Sequence, residues 1–267
     1  MIEVVVSGAA GRMGGRIVAL VKEAADFCLV GALERSGHPA LGRDAGELAG
    51  VDRTDVPVSA DPTQVLIRDR ALVEFTTPEA TLEHLRVAAR VRARAVIGTT
   101  GFSKAEHSEI VTLAREIPIV LAPNMSVGVN LTLKILAELA VALGDDYDVE
   151  VTEIHHRGKK DAPSGTALKM AEVIAQALGR DLGQVAVHGR YGMTGERTSK
   201  EIGILSLRAG DVVGEHTVVF GGLGERIEIT HRAGSRDTFA RGALRAVRFV
   251  AQAAPGLYSM QDVLGLK

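Results

Sequence analysis

Tryptophan is absent from this chain, and only three tyrosines and six phenylalanines occur in its 267 residues. An interior of this size must therefore be aliphatic, built from Val, Ile, Leu and Ala. The single cysteine, Cys28, excludes an internal disulfide framework and any multi-cysteine zinc or iron–sulfur site. No apolar run approaches the roughly 18 residues that span a bilayer. A signal-peptide pattern is also missing: Glu3 stands where a basic region belongs, and glycines break the apolar stretch. No long basic tract appears and the formal net charge is −2, which argues against a general phosphate-backbone binder. Neither a nucleic-acid nor a membrane partner is expected, and the cytoplasm, a reducing compartment, is the expected location. What is present is an ordinary globular balance, 46% hydrophobic and 24% charged, at a length that suits two domains.

The first part alternates strand and helix signals. Ile2–Val6 is a β-branched run suited to a buried parallel strand, followed by a glycine-rich turn and a helical pattern over 12–24. A second apolar run, Leu29–Leu33, ends at Glu34 and Arg35, completing one βαβ unit. Residues 37–62, rich in Gly, Asp and Pro, read as loop with at most a short strand near 56–58. Strands at 71–75, 95–98 and 119–122 alternate with helices at 78–90 and 104–116. That rhythm predicts an α/β fold with a Rossmann-like, doubly wound parallel sheet over residues 1–126. A helix over 129–143 then leads into strand-like runs at 149–155, 185–188, 202–208, 216–220 and 225–231, with one clear helix among them at 167–178. Gly-containing turns at 208–211 and 221–224 suggest antiparallel pairing of consecutive strands. Residues 127–235 thus read as a second α+β domain with a mainly antiparallel or mixed sheet. An amphipathic helix near 238–253 brings 236–267 back to the first domain.

Three constellations could carry chemistry. Gly8-Ala9-Ala10-Gly11-Arg12-Met13-Gly14 follows a strand and opens a helix, so backbone and helix N-terminus can both approach a pyrophosphate. A structural turn is the bland reading of such a loop, but Glu34, twenty residues past Gly14 at the next strand end, is placed to hold ribose hydroxyls. Arg35 can accept a 2′-phosphate or simply pair with Glu34 in solvent. The second is a pair of polar loops at successive strand ends, Gly98-Thr99-Thr100-Gly101 and Ala122-Pro123-Asn124-Met125-Ser126, suited to lining a nicotinamide. The densest cluster runs from Glu153 to Thr166, with His155, His156, Arg157, Lys159 and Lys160 ahead of Pro163-Ser164-Gly165-Thr166. Adjacent strand residues point to opposite faces, so His155 and His156 do not chelate one ion and no metal is expected. A basic pocket for an acidic substrate, closed by a helix N-terminus, fits better than a solvated turn. Arg232 and Arg236 are weaker candidates for the same pocket.

These segments together resemble the dihydrodipicolinate reductase family over nearly the whole chain. The likeness rests on V-S-G-A-A-G-R-M-G, Glu34-Arg35, V-I-G-T-T-G-F at 96–102, A-P-N-M-S-V-G-V-N at 122–130 and, most specifically, E-I-H-H-R-G-K-K-D-A-P-S-G-T-A at 153–167. R-A-G-D-V-V-G-E-H-T at 208–217 and E-I-T-H-R-A at 228–233 add to it. Glu74 stands where Asp is common, and Met125 where an aromatic is frequent. The resemblance implies hydride transfer from NADH or NADPH to a small cyclic imine bearing two carboxylates, in the diaminopimelate route to lysine. It implies that Gly8, Ala9, Ala10, Gly11, Arg12 and Met13 hold the pyrophosphate, Glu34 the ribose and Arg35 a 2′-phosphate. Gly98, Thr99, Thr100, Ala122, Pro123, Asn124 and Met125 would line the nicotinamide side. His155 would be the proton donor/acceptor and Lys159 a proton donor, with His156, Gly165 and Thr166 binding substrate. It implies a homotetramer joined through the second domain's sheet. A dinucleotide-binding redox sensor without turnover is the rival reading; it needs the glycine loop and Glu34 but has no use for Lys159 beside a helix cap. A homoserine dehydrogenase would lack the H-H-R-x-K run, and a semialdehyde dehydrogenase would need a catalytic Cys, for which Cys28 is poorly placed.

Overall fold

The computed structural model describes residues 1–266. Along the chain the elements are β1 (Ile2–Ser7), α1 (Arg12–Glu23), β2 (Phe27–Leu33), α2 (Ala45–Ala49), β3 (Val58–Ser59), α3 (Pro62–Val65), β4 (Ala71–Glu74), α4 (Pro78–Val91), β5 (Arg94–Ile97), α5 (Lys104–Leu113) and β6 (Pro118–Leu121). There follow α6 (Val127–Leu143), β7 (Asp148–His155), α7 (Gly165–Ala177), α8 (Leu182–Val185), β8 (Ala186–Val187), β9 (Ile202–Arg208), β10 (Gly214–Gly221) and β11 (Arg226–Ala233). Last come α9 (Asp237–Val250), β12 (Gly256–Tyr258) and α10 (Met260–Leu264). The chain divides into two compact units, residues 1–127 together with the stretch from Arg236 onward, and residues 128–235.

The first unit is a seven-stranded sheet in the order β12-β6-β5-β4-β1-β2-β3, with every ladder parallel. Its strands are apolar on both faces because both are covered. In β1, Val4 and Val6 enter one core cluster while Val5 enters the other. The Val5 face packs Leu82 and Leu85 of α4 and Ile110 of α5. The Val4 face packs Ile17, Val18 and Val21 of α1 together with Ala243, Leu244, Val247 and Val250 of α9. Without α9, that face of β4, β5 and β6 would be open, which is why the C-terminal stretch returns. The bidentate Arg16–Asp237 pair, 2.7 and 2.8 Å, ties α9 to α1.

Residues 37–62 hold more order than their composition suggests. Asp44 is buried and caps α2, accepting from Gly46 N and Glu47 N, and also takes the N–H groups of Thr54 and Val56. One carboxylate organises the excursion by satisfying four backbone donors. β12 and α10, beyond Pro255, lie outside the sequence expectation; they are short, and α10 is set by a Ser259–Asp262 capping box.

In the second unit a five-stranded sheet runs β11-β10-β7-β9-β8. β10 pairs antiparallel with both β11 and β7, whereas β9 pairs parallel with β7 and β8. The turn at 221–224 does join an antiparallel hairpin. The turn at 208–211 does not: β9 and β10 lie on opposite sides of β7. Residues 209–213 cross the end of β7 instead, with Ala209 N donating to His155 O at 2.9 Å and Arg157 N to Gly210 O at 3.1 Å. One face of this sheet is packed by Leu133 and Leu136 of α6 and by Met170 and Ile174 of α7. The other face leaves Leu205 and Leu207 exposed. The expectation that no apolar run approaches the length that spans a bilayer is corrected at Val127–Asp146, a 20-residue helical stretch holding an 18-residue window of mean hydropathy 1.6. That segment buries Val129, Leu133, Leu136 and Ala140 in the unit's core and carries a Lys134–Glu138 ion pair at 3.2 Å.

Candidate active site

The strand order reverses between β1 and β4, and ligands of open α/β sheets bind beyond the carboxyl ends of strands at such a point. The glycine loop is there. Gly8 has φ +67°, a left-handed conformation that a side chain would strain, and a Cβ on it would come 3.0 Å from Thr76, just past β4. Gly14 lets the first turn of α1 lie against the loop, since a Cβ there would meet Gly8 O at 2.1 Å. Ala9 N donates to Leu33 O at 3.1 Å, and Gly11 N to Gly8 O at 2.8 Å. Gly11 occupies the N-cap of α1 and supplies no side-chain acceptor, so Arg12 and Met13 present first-turn N–H groups that no capping side chain takes. Glu34 reaches back so that its Oε1 accepts from Ala10 N at 3.0 Å, while Arg35 is exposed beside it. A tight loop, an uncapped helix start and a carboxylate at the loop's edge fit the diphosphate and ribose of a dinucleotide.

The two further loops lie after adjacent strands. Gly98 follows β5 and Thr99 is buried, its Oγ1 accepting from Thr76 N at 3.1 Å and from Thr81 Oγ1 at 2.9 Å. Thr100 is exposed. After β6, Ala122 and Met125 are buried while Pro123 is exposed and Asn124 half-buried. Met125 turns its side chain into the core cluster shared with α9, so it offers the loop surface only backbone. Asn124 Oδ1 accepts from Ser126 N at 2.9 Å, shaping the turn.

In the second unit, strand alternation puts Glu153 and His155 on one face of β7. Glu153 is fully buried and its two oxygens collect four donors. Oε2 lies 2.6 Å from His155 Nδ1 and 2.8 Å from an Arg208 nitrogen; Oε1 accepts from the other Arg208 nitrogen at 3.0 Å and from Ser164 N at 3.2 Å. Burial alone would raise the pKa of this carboxyl, but hydrogen bonds led by those from Arg208 and His155 outweigh it and hold it at about 2. Ser164 caps α7 by accepting from Ala167 N, and its Oγ lies 2.9 Å from His216 Nε2. His216 is buried, and desolvation lowers its pKa to about 4, with the nearby His155 adding to the effect. The two imidazoles meet edge to face, centroids 5.2 Å apart. Lys159 is mostly covered and pairs with Asp161 at 2.7 Å, His156 is half-buried, and Lys160 is exposed. Gly165 and Thr166 take the first helical positions of α7. Arg232 is drawn to Glu215 at 3.0 Å. Arg236 stands at the start of α9 in the first unit. Among the described residues no group of three or more His, Cys, Asp or Glu is arranged to hold a metal.

Arg208 and His216 carried no role in the sequence reading, because their proximity to Glu153 exists only through strand register. His216 is the partner of Glu153 across the β10–β7 ladder, and Arg208 is that of His155 across the β9–β7 ladder. Glu153 itself was legible as a motif letter, and its parity with His155 was the available signal.

A Rossmann-type sheet with a glycine-rich loop at its switch point, together with a unit bearing an imidazole, an amine and a helix start, fits a two-domain nucleotide-dependent oxidoreductase. Residues 2–125 match the family described as dihydrodipicolinate reductase, N-terminus, and residues 128–264 the one described as dihydrodipicolinate reductase, C-terminus. The 4-hydroxy-tetrahydrodipicolinate reductases of Geobacter sulfurreducens and Citrifermentans bemidjiense are 56% and 55% identical, each over 100% of both chains. A dipicolinate-bound dihydrodipicolinate reductase from Paenisporosarcina sp. TG-14 is similar in structure, with TM-score 0.78, 27% identity and 98% of both chains covered. The chain belongs to the dihydrodipicolinate reductase family. Its activity is reduction in the diaminopimelate–lysine route, with NADH or NADPH as reductant.

Proposed function

We propose that residues 1–126, completed by 236–267, bind the nucleotide, and that residues 127–235 seat the substrate and build the oligomer. Gly8, Ala9, Ala10, Gly11, Arg12 and Met13 hold the diphosphate by backbone N–H groups and the α1 N-terminus, Glu34 takes the ribose hydroxyls, and Arg35 meets a 2′-phosphate when there is one. Gly98, Thr99, Thr100 and residues 122–125 border the nicotinamide. When bound, the reduced nicotinamide supplies a hydride. The substrate is a small cyclic imine with two carboxylates, the dehydrated form of 4-hydroxy-tetrahydrodipicolinate. A carboxylate on Gly165 and Thr166 gains the favourable field of the α7 N-terminus, and His156 completes the seat. Hydride arriving at carbon pushes an electron pair onto the ring, and a proton must meet it. Lys159 donates that proton. His155, with Nδ1 committed to Glu153, has Nε2 left to exchange a proton near the substrate.

The observation that supports this reading is the 2.6 Å His155–Glu153 contact in the same stretch of chain as the α7 cap and Lys159. A sensor would need the first unit's features only. The test is to generate the substrate in situ from pyruvate and aspartate semialdehyde with the upstream synthase, and to follow oxidation of NADH and of NADPH. Consumption above background is expected with both; none with either would sink the proposal. A homotetramer in the cytoplasm, with no membrane or nucleic-acid partner, completes it.

A further inference from the structure

A fully buried carboxylate that accepts four hydrogen bonds is an unusual investment for a strand residue, and its donors come from three places. His155 is on the same strand, Arg208 on β9, and Ser164 at the cap of α7. Two of those donors belong to separate parts of the proposed substrate site: His155 handles the proton, and Ser164 opens the helix whose first N–H groups receive a carboxylate. We infer that Glu153 is a positioning residue that locks His155 in the tautomer protonated at Nδ1 and, with its other oxygen, fixes the first turn of α7, so that one group registers the imidazole against the anion seat.

Three observations carry this beyond a buried ion pair. First, a carboxylate accepts and never donates, so the 2.6 Å contact requires the hydrogen on His155 Nδ1. Nε2 is then the atom with an open lone pair in the neutral ring. Second, the space at Nε2 is kept: residue 214 is glycine, and a Cβ there would lie 3.0 Å from His155 Nε2. Third, His216 links the same two parts by another route, with its ring edge to face with His155 and its Nε2 at 2.9 Å from Ser164 Oγ. Arg208 braces the arrangement from outside, giving one nitrogen to each Glu153 oxygen and a further hydrogen bond, 2.7 Å, to Asp161 O in the turn that carries Lys159. The inference rests on the role proposed for His155, but its central structural claim does not depend on activity.

The test begins with the unmutated chain, labelled with 15N at histidine and assigned at residue 155 by loss of its signals in His155→Gln. The expected spectrum of neutral His155 has hydrogen on Nδ1 and a bare Nε2; the opposite tautomer would overturn the inference. Glu153→Gln offers one acceptor oxygen and an NH2 donor in place of two acceptors, so Ser164 N and a His155 protonated at Nδ1 compete for one oxygen, and an amide N–H facing Nδ1 favours the opposite tautomer. Its expected kinetics are a kcat lowered roughly ten- to hundredfold and a raised KM for the dicarboxylate, with KM for the nucleotide within about twofold of the parent. Should that variant not fold because Arg208 is left without its anion, Glu153→Gln/Arg208→Gln removes both charges and carries the same expectation. A folded variant with parental kcat, parental dicarboxylate KM and an unchanged His155 spectrum refutes the positioning role. Parental activity in His155→Gln, by contrast, would overturn the proposed role of His155 while leaving the tautomer result standing.

Discussion

Glu74, at the end of β4, has its Oε1 2.6 Å from Nδ1 of His84 inside α4, and the carboxylate is wholly buried. Ser7, at the end of β1, comes within 3.2 Å of the same ring nitrogen, and Thr76 donates to the other Glu74 oxygen at 2.8 Å. The pair sits beneath the loops proposed to hold the nucleotide. Burial pulls the His84 pKa down, but the hydrogen bond and charge of Glu74 outweigh it, and the net shift is upward. A raised histidine contributes stability that is fully present below the unfolded value of about 6.5 and is lost as pH rises through the folded value. Unfolding free energy should therefore fall on going from pH 6.5 into the alkaline range, and His84→Leu should flatten that fall. The variant also strands a buried carboxylate, at a cost of about 3 kcal/mol. Urea titrations at several pH values measure both effects; an unaltered slope in the variant would refute the linkage.

Acid should act on the second unit in two stages. His216 has a folded pKa of about 4, below the ordinary 6.5, so the unfolded chain takes up a proton first. Stability is present above pH 6.5 and is lost as pH falls toward 4. Glu153, held at about 2 against an ordinary 4.5, adds a second loss between those values. The His216 loss comes before most carboxylates protonate, and the Glu153 loss accompanies their protonation. His216→Phe should remove the first stage and keep the second, readable as a shifted midpoint in acid titration followed by circular dichroism.

Much of the first unit was readable from sequence because each of its parts is local. Ile2–Val6 is apolar throughout since both its faces are covered, and Gly8 to Gly14 occupy consecutive positions of one turn. The helix N-terminus at Gly165 was likewise announced by Ser164. What escaped depends on register or on single side chains reaching far along the chain. Nothing in residues 208–211 distinguishes a hairpin from a crossing over β7, because hydrogen bonds to His155 and Arg157 decide it. Asp44 turns a Gly- and Asp-rich stretch into an ordered excursion by taking four backbone donors, which composition does not disclose. Met125 lies in a polar loop by sequence, yet its side chain enters the core that α9 completes.

Dual use of NADH and NADPH is the outcome expected from Glu34 and Arg35 standing together at the end of β2. Glu34 is already turned toward the glycine loop, and Arg35 is exposed. A charged hydrogen bond to a 2′-phosphate is among the stronger polar contacts. Arg35→Ala should raise KM for NADPH by roughly ten- to hundredfold and leave that for NADH almost unchanged. Equal losses with both nucleotides would make Arg35 structural.

The sheet of the second unit has one face covered by α6 and α7, while β9 presents Leu205 and Leu207 to solvent at 38% and 46% exposure. Exposed apolar groups on a broad strand surface mark association, and closed symmetric assembly satisfies it without leaving edges. Light scattering at micromolar concentration should return four times the chain mass. Leu205→Glu/Leu207→Glu should lower it, and a monomer mass for the parent would end the idea.

Lys159 and Lys160 are neighbours with different surroundings, and their contrast is the sharpest check on the chemistry. Lys159 keeps 18% of its side chain exposed and is bound to Asp161 at 2.7 Å, whereas Lys160 is exposed. Asp161 has its pKa lowered mainly by the Lys159 hydrogen bond, and that contact holds the Lys159 amine in place. An aligned proton donor contributes about 10²–10⁴-fold. Lys159→Met should therefore cut kcat by two orders or more without changing nucleotide affinity, and Lys160→Met should be mild. His155→Ala should fall between them, since water can take over part of an acid–base role. Asp161→Asn removes the anchor but keeps the amine, so it should weaken kcat far less than Lys159→Met does. Damage from Lys160→Met with silence from Lys159→Met would mean that the donor is the next residue along. Silence from both would leave the proton to solvent, and the basic turn would serve only to hold the substrate's charge.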